Sequence, residues 1–287
     1  MRIMTNVSSL GAQEAAVNTN SKLSSSLEKL SSGLKINKAS DDASGLAIAD
    51  KLRTQATGLN QAVENGNSAI ALTQITDKAM AEQSNILDTI KAKLIQMATA
   101  TTSLDGAKAI AKDVTKLLDQ VDNISEQTEY NGQYLLRASA TGTASEELKF
   151  QMGVRTGDTI SLKAGIFSNA SGLGASELYS SASTASWGTA TSAQDAARGH
   201  LATVDSALTK LNGWRADVGS TQNQVESAVR NIQTQVTNVK AAESVIRDVD
   251  YAAESANFNK QNIISQAGSY AISQANSVQQ NVLRLLQ

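Results

Sequence analysis

The chain has no cysteine and no proline, a single histidine, and only 3% aromatic residues. Without cysteine there can be no disulfide, no thiolate metal site and no cysteine nucleophile. Without proline nothing forces a break inside a helix. Large aromatic side chains usually dominate compact cores. Their scarcity fits the thinner packing of coiled coils and long helices instead. No run of 18 apolar residues occurs, so no segment is expected to span a membrane. The start, MRIMTNVSSLGAQ, lacks the continuous apolar stretch of a secretory signal. An exported chain of this kind would need a route without a cleaved signal. The formal net charge of −2 gives no field that favours nucleic acid or an anionic membrane, so neither is expected as a partner.

What the chain does have is apolar periodicity. Leu23, Leu27, Leu30 and Leu34 step by four, three and four. After a break between Gly33 and Asp42 the pattern resumes as Leu52, Ala56, Leu59, Val63, Gly66 and Ile70. Such spacing places one apolar stripe along a helix with a period near 3.5. Ser40, Asp41 and Asp42 suit the start of the second helix. If it continues to Ala98, it has roughly 55 residues and is about 80 Å long, the dimension of a rod. A third helix is predicted over 105–128 from Ile110, Val114, Leu117, Val121 and Ile124, with Asn131-Gly132 ending it. Heptads return from Ala193, with Val218, Gln222, Val225, Val229, Ile232, Val236 and Val239 stepping by four and three. A last helix is predicted from Asp250 to the end. From Asn257 to Gln287, 11 of 31 residues are Asn or Gln, and the terminal Val278, Val282, Leu283, Leu285 and Leu286 form an apolar stripe.

The middle differs. Leu148, Phe150, Met152 and Val154 alternate, and Thr159-Ile160-Ser161-Leu162 alternates again after Gly157-Asp158, which predicts a β-hairpin. Between Ser168 and Ser192, 11 of 25 residues are Ser or Thr, which predicts a weakly packed, solvent-facing loop. The predicted fold is therefore mainly α: an elongated helical coiled-coil rod built from both chain ends, with a small β-hairpin region in the middle.

Candidate chemistry is sparse. Asp41 and Asp42 are adjacent, so they do not face each other on a helix, and capping explains them better than paired catalysis. Asp248 and Asp250 read as charges at the start of the last helix. His200 stands alone, without the companions of a triad or a zinc site, and reads as a surface group. Gly172-Leu173-Gly174 lacks the strand and the further glycines of a phosphate loop. Trp214 reads as packed, Trp187 as exposed or at a contact. No catalytic residue, cofactor or metal site is expected. A helical-bundle enzyme would need inward carboxylates or histidines, which this pattern does not supply.

At both ends the chain resembles the bacterial flagellins. The resemblance rests on RIMTNVSSLGAQ (2–13), LEKLSSGLKINKASDDASGLAIADKLR (27–53), TEYNGQYLL (128–136), AAESVIRDVDYAAESANFNKQNIISQAG (241–268) and QANSVQQNVLRLLQ (274–287). It covers roughly residues 1–140 and 195–287. It implies a self-assembling, non-catalytic subunit of an extracellular filament for swimming, exported unfolded. The implied organisation has five stretches. Residues 1–42 and 243–287 form an inner filament-core domain, the first stretch with a spoke. Residues 43–140 and 195–242 form an outer-tube helical domain. Residues 141–194 form a short β and Ser/Thr-rich variable region. A hook–filament junction protein of the same export system is the alternative, and a coiled-coil binding module is a third reading.

Assembly contacts are expected from Val7, Leu10, Leu23, Leu27, Leu30, Leu34, Ile263, Ile264, Val278, Val282, Leu285 and Leu286. An intramolecular coiled coil is expected from Leu52, Leu59, Val63, Ile70, Val225, Val229, Ile232 and Val236. The resemblance further implies an export chaperone on the apolar C-terminus, a secretion apparatus, and hook-associated and cap proteins. The family's Arg-rich stretch read by an animal immune receptor corresponds to LDTIKAKLIQ (87–96). There Thr89 replaces the first Arg, and Ala92 and Lys93 replace a Glu-Leu pair. With Lys91 and Gln96 alongside, this altered region predicts weak or no receptor activation. A second departure is Gln279, where the family often has proline. Some family members carry sugars in the variable region, which makes Ser181, Ser183, Thr184 and Ser186 candidate O-glycosylation sites.

Overall fold

The structure is a computed structural model that describes residues 6–137, 147–163, 166–184, 187 and 189–285. Its elements in chain order are α1 (Val7–Ser32), α2 (Ala43–Met97), α3 (Leu104–Gln127), β1 (Glu129–Tyr130), β2 (Gln133–Tyr134), β3 (Leu148–Gln151), β4 (Thr159–Leu162), α4 (Ala170–Leu173), α5 (Ser176–Thr184), α6 (Ala190–Arg247) and α7 (Tyr251–Leu285). The fold is mainly α, with two small antiparallel β-hairpins in the middle. Two compact units divide it: Met1–Thr57 with Val236–Gln287, and Gly58–Gln235. The long helices α2 and α6 contribute to both.

Local chemistry sets the helix ends. The Asn6 side chain accepts from the Ser9 N–H at 3.1 Å and starts α1. Gly33 stops it in the left-handed region, at φ 75°. Asp42 Oδ1 accepts from the Gly45 N–H at 2.9 Å and opens α2. Ser103 starts α3 in the same way. Asp250 Oδ1 accepts from the N–H groups of Ala252 and Ala253 at the start of α7. Each side-chain oxygen satisfies a helix donor that has no partner inside the helix.

The second unit holds the apolar core. α3 folds back on α2: the Lys93 ammonium meets Asp113 at 2.9 Å, and the fully buried Gln83 amide donates to the Val121 carbonyl at 3.0 Å. α6 also runs antiparallel to α2. Lys91 pairs with Asp205, Asp77 with Arg215, and Gly66 faces Val229, so one residue number falls as the other rises. Met80, Leu87, Ile90, Leu94, Val114, Leu118, Val121, Val204 and Leu211 are nearly or fully buried between these three helices. The β3–β4 hairpin lies on α2 at a glycine notch. Asn65 donates to the Gln151 carbonyl at 3.2 Å, Val154 lies over Gly58, and Met152 over Gly66.

Three expectations are corrected. Among the described residues of 168–192, α4 and α5 replace the expected loop and pack on α3, with Ala170, Leu173, Leu178 and Ala182 buried. Ala170 and Leu173, three apart in α4, and Leu178 and Ala182, four apart in α5, each mark a helix face beneath the Ser/Thr majority. Asn131-Gly132 does not end α3, which stops at Gln127; the pair forms the two-residue turn between β1 and β2. Both residues have positive φ, the conformation a tight hairpin turn requires. Val154 lies beyond β3 and is exposed, because the chain leaves the ladder after Gln151.

His200 on α6 is half-buried. Burial holds its imidazole pKa below the usual value, against the opposing pull of Glu177. Trp187 and Trp214 are half-buried against the core.

Candidate self-association surface

Among the described residues of the α1–α7 pair, no large apolar side chain is fully buried. In α1 the buried side chains are Thr19, at 9% exposure, and Ser26, at 5%. Thr19 returns its hydroxyl to the Ala15 carbonyl at 2.8 Å, and Ser26 donates to the Glu254 carboxylate on α7. Asn6 donates to the Ala275 carbonyl at 3.2 Å, Ser265 to Asn20 at 2.9 Å, and Gly268 faces Ala16. Here too the pairing runs antiparallel, and the buried side chains of the seam are polar, with Leu23 and Leu30 half-buried beside them.

Leu23 and Leu30 share the face of Thr19 and Ser26 and are half-buried, but many large apolar side chains lie outside that seam. Val7 is 70% exposed and Ile263 67%, and Leu10, Val17, Leu27, Ile264, Tyr270 and Val278 are also exposed. Scattered single exposures are ordinary on a protein surface. A pair of helices that buries Thr and Ser while exposing this set is not. Of the residues expected from sequence to make assembly contacts, Val7, Leu10, Leu27, Ile263, Ile264 and Val278 are exposed; Leu23, Leu30 and Leu34 are half-buried. α7 extends through Val282 and Leu285, and Leu286 lies outside the described residues. The seam residues Thr19 and Ser26 alternate with Leu23 and Leu30 on one helix face, but a Thr and a Ser carry no hydrophobic signal that marks them in the sequence.

The base of the unit is fastened by backbone. The Val249 N–H donates to the Gly33 carbonyl at 3.0 Å, and the Lys35 N–H to the Arg247 carbonyl at 2.6 Å. The Tyr251 hydroxyl lies against Gly33, where a Cβ would meet it at 2.9 Å. The Arg247 guanidinium sits 3.8 Å from Asp50 and 3.9 Å from Glu243. Just before α2, the Asp41 carboxylate accepts from the N–H groups of Lys38 and Asn37. These hold its pKa below the usual carboxylate range. Glu28, 2.7 Å away, raises the Lys38 ammonium pKa.

In the second unit, Leu59, Val225, Val229, Ile232 and neighbouring Val236 of the first unit are buried, and Val63 and Ile70 are half-buried. Leu52, in the first unit, is half-buried. In the altered stretch Thr89, Ala92 and Gln96 are exposed, while Lys91 and Lys93 are held by Asp205 and Asp113. Ser183 and Thr184 are exposed at the end of α5, Ser181 is half-buried, and Ser186 lies outside the described residues. Among the described residues no cluster of three or more His, Asp or Glu could hold a metal ion, and no helix is long and apolar enough to cross a membrane.

Comparison with known proteins identifies this architecture. Residues 3–141 match the bacterial flagellin N-terminal helical region, and residues 201–286 match its C-terminal helical region. A flagellar filament 31.3 kDa core protein of Treponema maltophilum is 34% identical over 292 residues, covering all of both chains. A flagellin of Bacillus subtilis (strain 168) is 37% identical over 305 residues, again covering all of both. A putative flagellar hook-associated protein from Vibrio parahaemolyticus shares the fold, with a TM-score of 0.61 over 72% of this chain and 99% of that one. At 11% identity the likeness is one of fold alone.

Proposed function

The chain belongs to the bacterial flagellin family and is a structural subunit of the extracellular flagellar filament; on that premise we propose how its parts serve assembly. The observation that carries the reading is the set of large apolar side chains that α1 and α7 leave exposed over a seam whose buried side chains are polar. Burying a Val, Leu or Ile side chain is worth about 1.5–3 kcal/mol. Val7, Leu10, Leu27, Ile263 and Val278 leave that stabilisation unused within one chain and gain it when a neighbouring copy covers them. A non-closing contact between copies then grows into an open helical filament.

The same argument bears on the free subunit. Ordering backbone costs about 1–2 kcal/mol per residue. A seam of Thr19, Ser26 and Gly268 with only half-buried Leu23 and Leu30 offsets only part of that cost. We propose that the two chain ends order as they are buried, which also suits export of an unfolded chain without a cleaved signal. Residues 1–42 and 243–287 then form the inner part of the filament, 43–140 and 195–242 the outer tube, and 141–194 the variable region. An export chaperone would cover the apolar C-terminal stripe that includes Val278 before assembly. The secretion apparatus and hook-associated and cap proteins are the further partners this role requires.

Two finer readings concern the surface. The exposed Thr89 and the ion-paired Lys91 and Lys93 leave no arginine fork for an animal flagellin receptor, which supports weak activation. The exposed hydroxyls of Ser183 and Thr184 are candidate acceptors for O-glycosylation, and an intact mass equal to the bare polypeptide would remove that reading.

The test of assembly is electron microscopy of purified chain after salt-induced or seeded polymerisation, beside a variant truncated after Gln274. Filaments from the full chain and none from the truncation are expected. Equal polymerisation of both would show that the end of α7 is not an essential interface.

A further inference from the structure

The sequence holds three Asn-Gly dipeptides, at 65–66, 131–132 and 212–213, and the fold places them in two kinds of backbone. Asn65-Gly66 lies in α2 and Asn212-Gly213 in α6. There each glycine N–H is committed to the carbonyl four residues back. The Asn65 side chain is also held at both ends: its amide donates to the Gln151 carbonyl at 3.2 Å, and its oxygen accepts from Gln61 at 3.3 Å. Asn131-Gly132 is different. It is the whole loop between the paired residues Tyr130 and Gln133, with φ 52° and φ 78°. Both residues are exposed, and among the described residues nothing hydrogen-bonds the Asn131 side chain.

We propose that Asn131 is a site of spontaneous covalent modification, converting to aspartate and isoaspartate. The Gly132 backbone nitrogen attacks Cγ of Asn131, loses its proton to solvent base, and expels ammonia, closing a five-membered succinimide. Water then opens the ring at either carbonyl. The balance is one water consumed and one ammonia released, with no change of oxidation state. Glycine at 132 matters because no Cβ obstructs the approach. Helical backbone blocks the same attack at 66 and 213, since the nitrogen is fixed away from the side chain and the helix must first open locally.

The product changes the fold at one place. Isoaspartate adds a methylene to the main chain inside a two-residue turn, so the register Tyr130 with Gln133 and Glu129 with Tyr134 is lost. The bond from the Leu135 N–H to the Thr128 carbonyl, at 3.1 Å, leads directly from that register to the buried Leu135 and Leu136. The hairpin therefore ages into a looser attachment at the end of α3.

The experiment holds the purified full chain in mildly alkaline buffer at body temperature, with tryptic peptide mass spectrometry over time. The peptide 117–137 is expected to split into acid and isoacid forms while those containing Asn65 and Asn212 keep their amides. Amide loss at Asn131 should run at least about tenfold faster than at the helical sites, the factor imposed by an opening free energy of about 1.4 kcal/mol. In concentrated urea the three sites should converge. Conversion at Asn131 no faster than at Asn65 and Asn212, or the same tenfold order in urea, overturns the proposal. Asn131→Gln should abolish the change in the 117–137 peptide without altering helicity.

Discussion

Gly66 on α2 sits directly beneath Val229 on α6: a methyl group in place of its hydrogen would fall on Val229 Cγ2 and, at 2.8 Å, on Met152 Cε. Helix backbones approach this closely only where one side chain is absent. Gly66→Ala is expected to destabilise the second unit by about 1–3 kcal/mol through overpacking, despite alanine's higher helix propensity. Urea denaturation followed by circular dichroism checks this. An unchanged or raised midpoint would mean that Met152 and Val229 yield without cost.

Gln83 is a buried polar residue in an apolar core, donating to the carbonyls of Val121 and Ser168 at 3.0 and 3.2 Å. It ties α2 to α3 and to the segment leading into α4. Gln83→Leu keeps the volume but leaves the Ser168 carbonyl facing an apolar side chain, at a cost of about 1–3 kcal/mol. Hydrogen exchange should show the loss first in α4 and α5, and protection unchanged there would refute the tie.

Asp122 accepts from the Ala170 N–H at 2.6 Å, yet its pKa is raised. Burial is the largest cause, and Asp119 and Glu126 push the same way. A raised carboxyl pKa means its contribution to stability is complete below the unfolded value of about 3.9 and is lost as pH rises through the higher folded value. Asp122→Asn keeps the acceptor oxygen and removes the charge. Its stability relative to the parent chain should therefore improve from acid to neutral pH. Melting curves with a constant difference across that range would contradict this.

Leu10→Ser and Ile263→Ser target exposed side chains outside the α1–α7 seam. Each should raise the critical concentration for polymerisation by roughly tenfold or more, the equivalent of about 1.4 kcal/mol of lost burial. The monomer's circular dichroism should barely change. Sedimentation assays that find the parent's critical concentration would exclude these positions from the contact.

Purified monomer should activate an animal flagellin-receptor reporter cell weakly or not at all. Thr89 is exposed at the position where the family's motif has Arg, and its hydroxyl is turned back to the Asn85 carbonyl at 2.9 Å. A full-strength response would show that the remaining surface suffices for recognition.

Much of this was legible in the sequence, where periodicity maps onto burial. Val114, Val121 and Ile110 announced α3, and Phe150 with Ile160 announced the β3–β4 pairing. The failures share a cause: composition concealed spacing. Leu178 and Ala182 sit four apart in α5, but a Ser/Thr majority made their surroundings read as loop. The α1–α7 seam was hidden for the opposite reason. Leu23 and Leu30 mark part of the seam, but its two buried side chains, Thr19 and Ser26, carry no hydrophobic signal. Gln83 could not be found at all, since one polar residue in a long helix gives no sign of facing inward.

The Leu136 carbonyl receives both the Ser125 hydroxyl, at 2.6 Å, and the Ser168 N–H, at 3.1 Å. The chain departing after Leu136 and the chain returning at Ser168 are thus pinned to the same atom, much as a drawstring closes the neck of a bag. What lies between them can lengthen without disturbing the helices beneath. Closing a flexible loop costs only about 0.6 kcal/mol more for each doubling of its length. A neck that holds its own shape lets the stretch beyond it change length at little cost to the helices beneath.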